Sequence, residues 1–134
     1  MLIDIEIPEG ANNIGIWLSS GVDSALVTYL ILKKISDNSL DVKVTCHTAI
    51  RPNRPTQEWA ENILKTLDEM FETQTDHVFY DKAWNPPYHN FKNFTKMKMI
   101  ELFDNGEYDV FYSGINSLPP KDIVEEFHNN MMLC

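Results

Sequence analysis

An apolar run, Ile14-Gly15-Ile16-Trp17-Leu18, leads directly through a short polar stretch, Ser19-Ser20-Gly21-Val22-Asp23-Ser24, into a second apolar run, Ala25-Leu26-Val27-Thr28-Tyr29-Leu30-Ile31-Leu32. That order predicts strand, tight turn, helix. A turn of this kind presents backbone N–H groups at a helix N-terminus, where the aligned peptide dipoles also favour negative charge, so it makes a phosphate cradle. Two common glycine-bearing turns are excluded. A Walker P-loop needs G-x-x-x-x-G-K-[ST], and no lysine follows Gly21 until Lys33; nor does the turn read G-x-G-x-x-G.

The rest of the chain alternates in the same manner. The helix after the turn starts at Asp23 or Ser24, either of which can cap it, and runs to about Ile35 with apolar residues on nearly all sides. Val42 to Ile50 is rich in β-branched residues and predicts a second strand, ended by Arg51-Pro52-Asn53-Arg54-Pro55. From Thr56, the residues Trp59, Ile63, Leu67 and Met70, joined by Ala60, Leu64 and Phe71, mark an amphipathic helix whose stripe should face a sheet. His77 to Tyr80 is a third strand, and Phe91, Phe94, Met97, Ile100 and Phe103 line a further helix that stops near Asn105-Gly106. Asp109 to Tyr112 is a fourth strand, and Pro119-Pro120 opens a final helix with Ile123, Val124 and Phe127 on its apolar side. Such alternation predicts parallel strands joined by right-handed crossovers in a three-layer α/β domain. The loops after Leu18, Ile50, Tyr80 and Tyr112 should then share one crevice. The stretch from Trp84 to His89 reads as a mobile loop on the acceptor side of that crevice.

A length of 134 residues fits one domain, with 43% hydrophobic and 23% charged residues as in soluble globular proteins. No apolar run reaches the roughly 18 residues that span a bilayer. The N-terminus alternates apolar and acidic residues, unlike a signal peptide, so a cytoplasmic location is expected. Cys46 and Cys134 are far apart, no C-x-x-C pair exists, and the four histidines are dispersed, so no zinc or iron–sulfur ligand set is visible. A net charge of −9 disfavours nucleic acid as a partner, because gripping its backbone takes a basic surface. Lys92, Lys96 and Lys98 gather, but Glu101, Asp104 and Glu107 follow them closely.

The turn resembles the S-G-G-x-D-S signature of the PP-loop ATP pyrophosphatase superfamily, with Ser20 in place of the first glycine. Asparagine synthetase, NAD synthetase, GMP synthetase and 7-cyano-7-deazaguanine synthase share this scheme, and the first and last are the favoured relatives. The resemblance implies a three-layer α/β/α sandwich with a mostly parallel sheet, of the HUP or Rossmann-like kind, here spanning residues 1–134 and short of its C-terminal part. It implies ATP and Mg²⁺ as ligands, attack of an acceptor oxygen on the α-phosphorus, loss of pyrophosphate, and transfer of the adenylate-activated group to a nitrogen or sulfur nucleophile. The acceptor would be a small molecule. Ser19, Ser20, Gly21, Val22, Asp23 and Ser24 would hold the phosphates, with Asp23 and Ser24 in the catalytic role and Asp23 toward Mg²⁺. Thr48, Ala49 and Ile50 at the end of the second strand would meet the adenine, and Gly114 in Ser113-Gly114-Ile115-Asn116 would lie near the nucleotide. Arg51 and Arg54 suit the triphosphate or a carboxylate acceptor. Ser20 and the short chain also fit a degenerate nucleotide-binding module, or a subunit completed by a partner or a second copy.

Overall fold

The computed structural model describes residues 6–19, 22–51, 54–81 and 91–114. The apolar run around Ile14 forms β1 (Asn13–Trp17) and the run after the turn forms α1 (Val22–Asn38). Then come β2 (Lys43–Ala49), α2 (Thr56–Phe71), β3 (Asp76–Tyr80), α3 (Phe91–Asp104) and β4 (Val110–Tyr112). The expected final helix, the Trp84–His89 loop, Ser20, Gly21 and Cys134 lie outside the described residues. No helix among those described is long and apolar enough to cross a membrane.

The four strands make one all-parallel sheet in the order β3-β2-β1-β4. The chain steps outward from β1 to β3 and then returns to the other side of β1, an order compatible with a Rossmann-like fold. Because every strand runs the same way, the chain leaves the sheet after Leu18, Ile50, Tyr80 and Tyr112 from one end of the strands. The turn after β1 sits where the direction of winding reverses, which is where such sheets open a crevice.

Alternate residues of β1 enter two apolar clusters, as the two-residue period of a strand requires. Ile14, Ile16 and Leu18 join Val44 and Cys46 of β2, Leu26, Tyr29 and Leu32 of α1, and Ala60, Leu64 and Leu67 of α2. Trp17 joins Ala49 and Phe94, with Tyr80, Met99 and Phe111 packed against them. Gly15 lies between Ile14 and Ile16 because two rings cover it. A Cβ there would come within 2.6 Å of Phe111 Cε2 and 3.1 Å of Tyr108 Cγ.

Two expected stripes are corrected. On α2 the buried residues are Thr56, Ala60, Leu64 and Leu67, while Trp59 is 48% exposed at the margin of that face. On α3, Phe94 and Leu102 are buried, yet Met97, Ile100 and Phe103 are each more than half exposed. The reason is geometric. Three residues turn a helix by about 300°, so a series spaced strictly by three drifts about 60° per step, and from Phe94 to Phe103 it passes to the opposite face.

At the far edge of the sheet, the Asp109 carboxylate accepts the backbone N–H of Asn12 at 2.7 Å and of Asn13 at 2.9 Å, and the Asp109 N–H donates to Asn13 O. These bonds pin the start of β4 to the start of β1. They also hold the Asp109 carboxyl below its ordinary pKa.

Candidate functional site

The turn after β1 is closed by its two outer serines. Ser19 N–H donates to Ser24 Oγ at 2.9 Å, the two hydroxyls lie 2.8 Å apart, and Ser24 Oγ reaches Ser19 O at 3.1 Å. The helix begins at Val22, so Asp23 and Ser24 stand inside its first turn rather than capping it. Ser24 turns its hydroxyl back to hold Ser19. Asp23, half-buried, is the acidic residue of that first turn.

Gly114, two residues beyond β4, comes back to the same place. A Cβ added to it would lie 3.5 Å from Asp23 Cβ and 3.7 Å from the Ser24 backbone N. A Cβ at that position would be in ordinary contact with the start of α1, so Gly114 lies directly beside it. The structure thus brings together Ser19, Val22, Asp23, Ser24 and Gly114, residues drawn from opposite ends of the described chain.

The other expected contacts sit differently. Thr48 is fully buried, and its hydroxyl donates to Leu18 O at 2.6 Å and meets His77 Nε2 at 2.7 Å. Ala49 is packed in the cluster of Trp17 and Phe94. Ile50 is half-buried, and its N–H donates to Tyr80 O at 2.8 Å. Arg51 is half-buried and Arg54 exposed, both in the loop that leaves the same edge of the sheet.

Beside this strand end, His47 is buried between two phenols. Its Nδ1 lies 2.7 Å from Tyr80 Oη and its Nε2 lies 2.6 Å from Tyr108 Oη, so one phenol donates and the other accepts around a neutral ring. Burial, with smaller contributions from His77 and Lys98, pushes its pKa down to about 4. Burial raises the Tyr80 phenol to about 12, the neighbouring Tyr108 adding to it. His77 is likewise lowered to about 4 by burial, against the opposing pull of Glu61 and Asp68. Cys46 is a free, fully buried thiol whose pKa burial drives upward, which favours its protonated form.

A cavity of about 290 Å³, lined by Met99, Ile100, Phe103, Asp104, Phe111 and Ser113, lies between α3 and the end of β4. A larger one of about 400 Å³ lies at the other end of the sheet, between the C-terminal ends of α1 and α2. Among the described residues no group of three or more His, Cys, Asp or Glu side chains could hold a metal ion.

Sequence reading missed His77 and the Tyr80–His47–Tyr108 chain. Nothing in the sequence joins Thr48 to His77 or His47 to Tyr108 until the strand register sets them side by side. No protein-family model matches the chain, and no curated protein matches it. The likeness to PP-loop enzymes therefore rests on the turn and on the order of elements.

Proposed function

We propose that the chain is an ATP-binding PP-loop domain that adenylates an acceptor oxygen and releases pyrophosphate, for amidation or a related transfer. The observation that carries this reading is the meeting of Gly114 with Asp23 and Ser24 at the seam between β1 and β4. A side chain at Gly114 would fill the space in front of the first turn of α1, the end of a helix suited to phosphate. On this reading the fold is a three-layer α/β/α sandwich, with α1 and α2 on one face of the sheet and α3 on the other. The free thiol of Cys46 suits a reducing, cytoplasmic setting.

The residues present fit Mg·ATP. Mg²⁺ on a nucleotide is held largely by phosphate oxygens and water with one or two carboxylates, so Asp23 alone suffices as the protein ligand. When bound, the ion neutralises charge on the departing pyrophosphate. Ser19 and Ser24 close the turn through their own hydrogen bonds, and Ser20, Gly21, Val22 and Ser24 would orient the phosphates through their backbone N–H groups. The acceptor oxygen forms a bond to the α-phosphorus as the bond from that phosphorus to the bridging oxygen breaks, and the electron pair leaves with pyrophosphate. The acceptor is a small molecule, since the chain's acidity disfavours nucleic acid.

Calorimetric titration with Mg·ATP, with GTP as comparison, tests this reading. Selective ATP binding, weakened at least tenfold by Asp23→Ala and by Gly114→Val, is expected. A degenerate module or partner-completed subunit is the second reading, favoured by Ser20 standing where the motif has glycine, since a Cβ there opposes close phosphate approach. Binding without AMP release across an acceptor panel supports it, as does binding that appears only in Ser20→Gly. Absence of binding in both proteins removes the nucleotide reading.

A further inference from the structure

The peptide unit joining Leu18 to Ser19 is where β1 becomes the turn, and it is held at both ends. Its carbonyl oxygen accepts the Thr48 hydroxyl at 2.6 Å, and its N–H donates to Ser24 Oγ at 2.9 Å. A peptide unit is planar, so fixing both ends fixes the plane and with it the direction in which the chain enters the turn. Thr48 has one hydroxyl proton, and the Leu18 carbonyl takes it. Toward His77, 2.7 Å away, the hydroxyl can only accept, so His77 carries its proton on Nε2 and donates it. The bonds thus run in one direction, from β3 through β2 to the last carbonyl before the turn, and Thr48 is completely buried.

We infer that Thr48 and His77 are positioning residues for the phosphate turn: His77 orients the Thr48 hydroxyl, and Thr48 sets the Leu18–Ser19 peptide so that Ser19 N–H meets Ser24. Neither side chain need touch the ligand. The inference deepens the nucleotide reading and rests on it for its functional consequence, while its structural part stands apart from any ligand.

The test uses the full chain as Thr48→Val, Thr48→Ser, His77→Phe and His77→Gln. Valine keeps the shape of threonine without the hydroxyl, and glutamine places an N–H donor as far along its side chain as His77 Nε2. Two quantities are read: hydrogen exchange of the Ser19 amide without nucleotide, and the dissociation constant for Mg·ATP. In Thr48→Val, Ser19 exchange rises and binding weakens by about tenfold, the loss expected for one buried hydrogen bond. The Ile16 amide, in the middle of β1, stays protected, which separates a local release from general loosening of the fold. His77→Phe moves both quantities the same way by less, and His77→Gln and Thr48→Ser return them toward the parent. Unchanged Ser19 exchange in Thr48→Val overturns the inference, and so does loosening of Ile16 in step with Ser19. A parent protein that does not bind Mg·ATP overturns the nucleotide reading instead, and Ser19 exchange alone then decides whether the peptide is set by Thr48.

Discussion

At Gly15 the rings of Tyr108 and Phe111 occupy the place a side chain would take. Gly15→Ala must push them aside, and the expected loss is about 1–3 kcal/mol, read as a lower urea midpoint with an unchanged slope. His47 makes a different demand, for a particular protonation state. Its pKa is about 4 in the folded protein against 6.5 for an ordinary histidine, so the unfolded chain takes up its proton first as pH falls. The stability due to the neutral ring is complete above about pH 6.5 and is gone by about pH 4, a loss on the order of 3 kcal/mol. Urea unfolding between pH 7.5 and 4 should show this decline, to which His77, lowered in the same sense, also contributes. The groups facing His47 are Tyr80, Tyr108, His77 and Lys98, and neither phenol titrates in that range. In His47→Gln the slope should be markedly shallower; an unaltered slope would assign the acid loss elsewhere.

Among the elements, those with an unambiguous period were legible. The Val-Thr-Cys-His-Thr run could only be a strand, and α2 begins on Thr56 and ends on Phe71 as its spacing predicts. The buried face of α3 was not legible, because a series spaced by three winds around the helix and cannot itself say which part meets the sheet. The consequence is testable within one turn. Leu102→Ala should cost about 2–4 kcal/mol by leaving a cavity, whereas Phe103→Lys should change stability by less than about 0.5 kcal/mol. Equal costs in denaturant titrations would mean that α3 packs by the other face. The site divides along the same line. Ser19, Asp23 and Ser24 could be named because they are neighbours in sequence, and Gly114 through the likeness of its strand end to PP-loop enzymes. The bond from His77 to Thr48 depends on β2 and β3 pairing Cys46 with His77 and Thr48 with Phe79, and side-chain period alone fixes no register between strands.

On the scale of the whole molecule, the sheet order decides where the proposed ligand site falls. Outward winding to β3 and return to β4 leave β1 between two parallel neighbours, with the turn at its carboxyl end facing the only reversal of direction among the described strands. A ligand bound there touches elements from both ends of the described chain and stabilises them together. Mg·ATP at about a hundred times its dissociation constant should add roughly 2.7 kcal/mol to global stability, seen as a raised thermal midpoint that Asp23→Ala cuts by about half or more. The same order has a consequence in time. Gly15 pairs with Thr45 on one side but with Phe111 on the other, so one flank of β1 closes over the single crossover through α1 and the other over nearly the whole described chain. Contacts so distant in sequence form slowly. During synthesis the turn can be built, and its helix formed, long before Gly114 leaves the ribosome, so the half-made chain holds one side of the proposed site and acquires the other only when β4 arrives.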